Sequence, residues 1–232
     1  MIFVLGLIVG SFVNVVAYRF PRGEGFVLGR SHCLHCKRAL HWYELVPLVS
    51  YLFLRGRCRI CRQMISWRYP LVELVSGFIW LLAPGWLAIV LAELFLILAL
   101  IDFDHLIIPD SLLICFLVLL PFVPTVRWSS LWCAIGLAGF FFLLWHFSKG
   151  RWIGFGDVKL MGVLGLVFGF PGSLLIVYGA ILMGGALGAI LLVTRRATLK
   201  TQVPFGTFLA GAAIIFTIYA EQIINFIRVY IG

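Results

Sequence analysis

Two acidic clusters in the sequence stand beside long apolar runs, where acidic side chains are costly. One cluster covers residues 154–160 and precedes an apolar run; its Asp157 stands between two glycines and a lysine. The other cluster covers residues 101–110 and follows an apolar run. A charge beside hydrocarbon loses its hydration, so an acid at such a boundary is a candidate for function. Two carboxylates held close share a proton, so that one acts as a base on water while the other donates to a carbonyl oxygen. Such a pair can hydrolyse a peptide bond.

One aspartate from each cluster is the preferred candidate for this pair. Asp157 is the only acid of its cluster, and Gly154 and Gly156 allow the backbone to bend and a substrate strand to approach closely. Asp102 ends the preceding apolar run, where its side chain would project toward a helix bundle. Asp110 is the reserve, although its position before an apolar run is typical of a helix N-cap. We expect the fold to bring Asp102 and Asp157 together.

Two further charged residues are candidates to support the pair. Lys159 could hold a substrate or catalytic carboxylate, or its ammonium could simply extend to the membrane interface. Glu73 lies just inside an apolar run. It could make a functional polar contact inside the helix bundle or have only a structural role, and the sequence favours neither.

The composition is that of a membrane protein that crosses the bilayer several times. Of the 232 residues, 63% are hydrophobic and only 12% are charged, whereas an ordinary soluble domain has about a quarter charged residues. We predict an all-α membrane protein with about eight transmembrane helices. The predicted spans cover about residues 2–18, 71–101 with a break at Pro84-Gly85, 111–124, 129–147, 158–169, 173–194 and 205–227.

The basic residues predict the orientation of these spans. Ten of the eighteen Lys and Arg lie within residues 19–69, and six more fall in segments on the same side of an eight-span topology. Because basic residues accumulate in cytoplasmic segments, we place the N-terminus outside and both aspartate clusters at the cytoplasmic face. The same bias accounts for the net charge of +9, so nucleic acid is not an expected partner. The first apolar run lacks preceding basic residues and is interpreted as a retained span.

Four cysteines form two CxxC pairs within the polar segment 19–69. Cys33 and Cys36 are separated by 21 residues from Cys58 and Cys61. Four thiolates in this arrangement suit a tetrahedral zinc ion, which would have no open position and therefore a structural role. Two disulfides are the alternative, and the cytoplasmic placement argues against them.

The motifs together resemble the bacterial prepilin peptidases, also called type IV leader peptidases, of the GxGD aspartyl protease type. The resemblance runs the full length of the chain and rests on six motifs in order. These are Gly10 to Val16 with Arg19 and Pro21, the paired cysteines, Arg68 to Leu74, Ile101 to Asp110, Gly154 to Leu160, and Pro204 to Gly206.

The resemblance implies two reactions. The first cleaves the basic leader from prepilins and pseudopilins, with Asp102 and Asp157 as the catalytic residues. The second methylates the new N-terminus with S-adenosylmethionine, although no residues for this cofactor can be assigned. It also implies the bacterial inner membrane, with residues 1–18 as the first helix, 19–69 as a cytoplasmic zinc domain inserted after it, and 70–232 as the protease core.

Two other classes of function remain open. A proton-coupled transporter would use the intramembrane acids as a proton relay and the zinc domain as a structural element. No repeat relates the two halves of the chain, which counts against this class. A zinc-stabilised membrane adaptor would use the aspartates only as helix caps. Both alternatives predict that replacing Asp102 or Asp157 by asparagine leaves leader processing intact.

Overall fold

The computed structural model describes residues 1–25, 29–124, 126–195 and 203–230. Within these residues the chain is helical, with two isolated β-bridges in place of any strand. The helices are α1 Ile2–Arg19, α2 Val49–Phe53, α3 Arg68–Leu82, α4 Trp86–His105, α5 Asp110–Leu119, α6 Trp128–Ser148, α7 Phe155–Val193 and α8 Phe205–Tyr230. The all-helical prediction is confirmed.

Five of the helical segments are long and apolar enough to cross a membrane. They are Ile2–Arg22, Trp86–His105, Trp128–Ser148, Phe155–Val193 and Phe205–Val229. Large apolar side chains such as those of Trp132 and Phe147 lie on the surface, as expected for contact with lipid. The fold is therefore that of a multi-span membrane protein. The shorter helices α3 and α5 cover only about 22 Å and 15 Å at 1.5 Å per residue, so eight full crossings stay a prediction.

Both predicted helix breaks are present. Helix α3 ends at Leu82 and α4 begins at Trp86, so the Pro84-Gly85 break is where it was expected. Helix α7 is interrupted at Gly169 and Phe170, immediately before Pro171. Gly169 has φ +58°, a backbone conformation that glycine adopts without steric cost. The interruption separates a first piece, residues 155–168, from a second, residues 171–193.

The chain divides into two compact units, residues Met1–Ile89 and Val90–Gly232. In the N-terminal unit, α1 packs closely on α3 through small residues. A Cβ atom added to Gly6 would lie 2.8 Å from the Cα of Gly77, and one added to Gly10 would lie 2.8 Å from the Cα of Glu73. The hydroxyl of Ser76 donates to the carbonyl oxygen of Gly6 at 2.7 Å. This Gly6 and Gly10 pair therefore packs α1 against α3, as its spacing predicts.

In the C-terminal unit, α7 packs between α6 and α8. Gly165 of α7 is so close to α6 that an added Cβ would lie 2.4 Å from the Cα of Ala134. This close packing fixes the start of α7, and with it Asp157, within the unit. Arg196 and Lys200, which contribute to the predicted orientation, lie outside the described residues.

Candidate active site

The two predicted aspartates line one cavity of about 510 Å³ in the C-terminal unit. The end of α4, the segment leading to α5, and the start of α7 form its wall. The lining residues are Asp102, Leu106, Ile107, Ile108, Pro109, Asp110, Gly154, Phe155, Gly156, Asp157 and Lys159. Residues from both acidic clusters therefore meet at one site, and the two carboxylates are close enough to interact electrostatically.

Asp102 is held by the beginning of α8. Its side chain is only 5% exposed. Its Oδ2 atom accepts a hydrogen bond from the backbone N–H of Thr207 at 2.6 Å. The Thr207 hydroxyl lies 3.0 Å from the same oxygen and 3.2 Å from the carbonyl oxygen of Ala99, and either can accept its hydrogen. These contacts fix the orientation of the Asp102 carboxylate.

Asp157 lies in the first turn of α7 and is half-buried. Its Oδ2 atom accepts a hydrogen bond from the backbone N–H of Gly154, the N-cap residue, at 3.2 Å. A Cβ atom added to Gly156 would lie 3.0 Å from the Cβ of Ile108. Gly156 therefore lets the start of α7 approach the segment that carries the other acidic cluster.

Asp110 and Lys159 form an ion pair in the wall of the cavity. The ammonium nitrogen of Lys159 lies 2.6 Å and 2.9 Å from the two carboxylate oxygens of Asp110. Both side chains are partly exposed, so the pair contributes at most about 1 kcal/mol to stability. The N-cap position predicted for Asp110 is wrong, because Pro109 is the N-cap of α5 and Asp110 is its first residue. Pro109, whose φ is fixed by its ring, has extended backbone and takes the N-cap position, so the helix begins one residue earlier than predicted.

Glu73 lies in the N-terminal unit and lines a different cavity there. Its Oε2 atom accepts a hydrogen bond from the backbone N–H of Leu48 at 2.8 Å. Among the described residues, the wall of the aspartate cavity does not include it.

Thr207 is the residue of the site that sequence reasoning missed. The preceding motif, Pro204 to Gly206, resembles a family element, but nothing in the sequence links it to an aspartate 105 residues away. Gly206 is equally important sterically, because an added Cβ would lie 2.9 Å from both Cγ and Oδ2 of Asp102.

The four predicted metal ligands converge in the N-terminal unit. The Sγ atoms of Cys33, Cys36, Cys58 and Cys61 all lie within 4.8 Å of one another, and none forms a disulfide. Cys33 Sγ and Cys61 Sγ are 3.8 Å apart. A tetrahedral zinc ion with Zn–S bonds of about 2.3 Å requires S···S separations of about 3.8 Å, so the cluster fits zinc. The backbone N–H groups of Cys61 and Ile60 lower the pKa of Cys58 to about 6, which favours the thiolate that binds a metal.

The fold and the two sites define a class of multi-span helical membrane protein, with paired acids at helix ends and a separate four-cysteine cluster. Residues 4–86 match the family model described as the Bacterial Peptidase A24 N-terminal domain, and residues 89–189 match that of the Type IV leader peptidase family. The first match contains the four cysteines and the second contains both aspartates.

Relatives that match most of the chain carry the name prepilin leader peptidase/N-methyltransferase. The protein from Bacillus subtilis (strain 168) is 33% identical, over 97% of this chain and 96% of the relative. The protein from Stutzerimonas stutzeri is 32% identical, over 95% of this chain and 90% of the relative. The protein from Myxococcus xanthus (strain DK1622) is 37% identical, over 87% of this chain and 65% of the relative. The chain therefore belongs to the type IV leader peptidase family. No solved structure matches it.

Proposed function

We propose that this protein cleaves the basic leader peptide from type IV prepilins and pseudopilins and N-methylates the new N-terminus. Family membership and the names of its relatives support both activities. The observation that carries the proposal for cleavage is the single cavity lined by Asp102 and Asp157.

Cleavage would use the two carboxyl groups as an acid and a base. One carboxylate takes a proton from water, whose oxygen attacks the scissile carbonyl carbon, while the other carboxyl group protonates the carbonyl oxygen. The tetrahedral intermediate then collapses, the C–N bond breaks, and the leaving amine takes a proton from the pair. In such a pair the shared proton would belong to the two carboxyl groups together rather than to either residue. Thr207 and Gly154 would keep the two carboxylates oriented during these steps.

The substrate matches the proposed location of the site. A prepilin has a basic leader followed by an apolar helix, so its scissile bond would lie at the cytoplasmic face of the membrane. The distribution of Lys and Arg favours eight crossings with the N-terminus outside, which would place both aspartate clusters at that face of the bacterial inner membrane. Residues 70–232 would then form the protease core, with 19–69 as a cytoplasmic domain.

Mass spectrometry of a coexpressed prepilin tests the proposed function. We expect the mature pilin to lack its leader and to carry one methyl group on its N-terminal amine. An uncleaved prepilin in cells that contain the wild-type protein in their membranes would contradict the proposal.

The cysteine cluster would hold a structural zinc ion that joins the two CxxC turns. We expect about one zinc per chain, since four sulfurs complete one tetrahedral site, and we expect Cys33→Ser with Cys58→Ser to abolish it. Metal analysis of the purified membrane protein measures this. The matched control is Cys115→Ser with Cys133→Ser, which changes two cysteines of apolar helices and should retain the metal. Metal-free wild-type protein would contradict the zinc assignment.

Thr207→Val tests the proposed positioning of Asp102. This change removes the hydroxyl while keeping the backbone N–H, so we expect kcat for leader cleavage to fall roughly tenfold with little change in KM. Thr207→Ser keeps the hydroxyl and should restore most of the rate. Equal rates for the valine and serine variants would contradict a positioning role for the hydroxyl.

A further inference from the structure

Residues 49–67, which we call the arginine segment, expose large apolar side chains and arginines together. The segment contains α2, the turn with Cys58 and Cys61, and the residues that lead into α3. Four of its large apolar side chains are between 66% and 85% exposed, namely those of Leu52, Phe53, Ile60 and Met64. Exposed apolar side chains grouped in this way mark a surface that contacts a membrane or another protein.

Backbone contacts fold the arginine segment into one compact piece. The backbone N–H of Arg55 donates to the carbonyl oxygen of Leu52 at 3.0 Å, and that of Arg57 donates to the carbonyl oxygen of Leu54 at 3.1 Å. An antiparallel bridge then pairs Arg57 with Met64. The apolar and the basic side chains therefore belong to the same small structure, so that one partner can contact both kinds.

All charged groups of the arginine segment are positive. It contains Arg55, Arg57, Arg59 and Arg62, and it contains no Asp or Glu. Arg59 is already engaged, because it donates to the hydroxyl of Tyr43 at 2.5 Å. Within the described residues no carboxylate pairs with Arg55, Arg57 or Arg62, and all three are exposed. These three guanidinium groups can therefore bind an anionic partner without breaking an existing ion pair.

The surrounding domain does not neutralise these charges. Residues 29–69 contain eight Lys and Arg but a single acid, Glu44, which is buried and pairs with Arg38. Four thiolates around a zinc ion would add two negative charges, and the domain would stay positive. The preference for basic residues in cytoplasmic segments explains why arginines occur here, but it does not explain the exposed apolar side chains beside them.

The packing of α1 on α3 brings the arginine segment to the membrane surface. The side-chain amide of Asn14 donates to the carbonyl oxygen of Tyr69 at 3.3 Å, so the start of α3 is level with the last part of α1. Helix α1 ends at Arg19, five residues and roughly 7.5 Å further along its axis. The headgroup layer on each side of a bilayer is itself about 5–8 Å thick. The arginine segment, which ends where α3 begins, therefore meets the membrane in this layer.

We propose that the arginine segment docks on the surface of the membrane that the chain crosses, where Arg55, Arg57 and Arg62 bind the phosphate groups of anionic phospholipids. The exposed apolar side chains of the segment enter the boundary between headgroups and acyl chains. A guanidinium matches a phosphate with two parallel hydrogen bonds, and apolar insertion combined with basic residues is how interfacial segments bind a bilayer. A second copy of this chain would bring a surface of the same charge, so anionic lipid is the occupant that the charges favour.

Photo-crosslinking of the full-length protein in lipid nanodiscs tests this docking. The discs contain phosphatidylcholine with a small fraction of phosphatidylglycerol that carries a photoreactive headgroup, and mass spectrometry maps the labelled peptides. We expect label on residues 49–67 of the wild-type protein. The triple variant Arg55→Gln, Arg57→Gln and Arg62→Gln should lose at least tenfold of this label, because each arginine near an anionic surface contributes roughly fivefold to binding.

The matched control removes the same charge from exposed residues of the C-terminal unit, through Arg127→Gln, Lys149→Gln and Arg195→Gln, and should keep the label on residues 49–67. The first triple variant should melt at the wild-type temperature, so that lost label reports lost lipid contact rather than unfolding. Equal label on residues 49–67 in the wild type and the first triple variant, or equal labelling by photoreactive phosphatidylcholine, would overturn the proposal. Crosslinks from these residues to an added prepilin instead of to lipid would assign the surface to a protein partner and overturn it as well.

Discussion

Gly206→Ala is expected to reduce leader cleavage by roughly 100-fold, the loss associated with a displacement of about 1 Å at a catalytic group. The added Cβ would lie 2.9 Å from Cγ and Oδ2 of Asp102 and 3.0 Å from the Cδ1 atom of Ile108. Real Cβ atoms do not approach so closely, so either the Asp102 carboxylate or the start of α8 must move. Either movement breaks the hydrogen bond from the Thr207 N–H that orients Asp102. Initial rates of cleavage of a purified prepilin in nanodiscs measure the effect.

The same helix provides a matched control. Gly211 also lies in α8, but an added Cβ there would meet only the flexible end of Met183, at 3.9 Å. Gly211→Ala should therefore cleave normally, and it should stabilise the helix by roughly 0.5–1 kcal/mol because alanine loses less backbone entropy than glycine. Wild-type rates from Gly206→Ala would show that the contact with Asp102 does not control cleavage.

Local patterns in the sequence predicted the parts of the structure that depend on local physics. The apolar runs predicted helices, and Pro84-Gly85 and Phe170-Pro171-Gly172 predicted their interruptions, because proline and glycine disrupt helix hydrogen bonding wherever they occur. The paired cysteines predicted a four-sulfur cluster, since each CxxC turn brings its own two sulfurs together. Charge at a membrane boundary led to the prediction that Asp102 and Asp157 come together, and the two residues do line one cavity.

These local patterns could not predict contacts between segments that are distant in the sequence. Thr207 contacts Asp102 only because α8 returns to the end of α4, and the motif beside it gave no indication of a hydrogen bond. Glu73 was a candidate for the aspartate site because it is an acid in an apolar run, but such a pattern does not say which cavity a side chain enters. The helix start at Asp110 was displaced by one residue, since N-cap geometry depends on backbone angles that residue type only biases.

Asp102→Asn and Asp157→Asn have the largest effects that we expect. Asparagine keeps the shape of the side chain but cannot accept or donate the proton that the two carboxyl groups would exchange with water and substrate. Each change alone should therefore reduce cleavage to background, and the double variant should be no worse, because the two groups act as a unit. The transporter and adaptor alternatives predict instead that both single variants process prepilin normally.

A matched control separates loss of chemistry from loss of structure. Asp104→Asn changes an exposed acid in the last turn of α4, two residues from Asp102, and should cleave at the wild-type rate. All four variants, including the double variant, should accumulate in membranes.

The most direct measurement is the fraction of a coexpressed prepilin that loses its leader in cells carrying Asp102→Asn, Asp157→Asn or Asp104→Asn, with equal amounts of each protein in the membrane. An aspartate pair as the catalytic centre predicts complete processing with Asp104→Asn and none with either of the other two. Mature pilin in cells that carry only Asp102→Asn or only Asp157→Asn would contradict it.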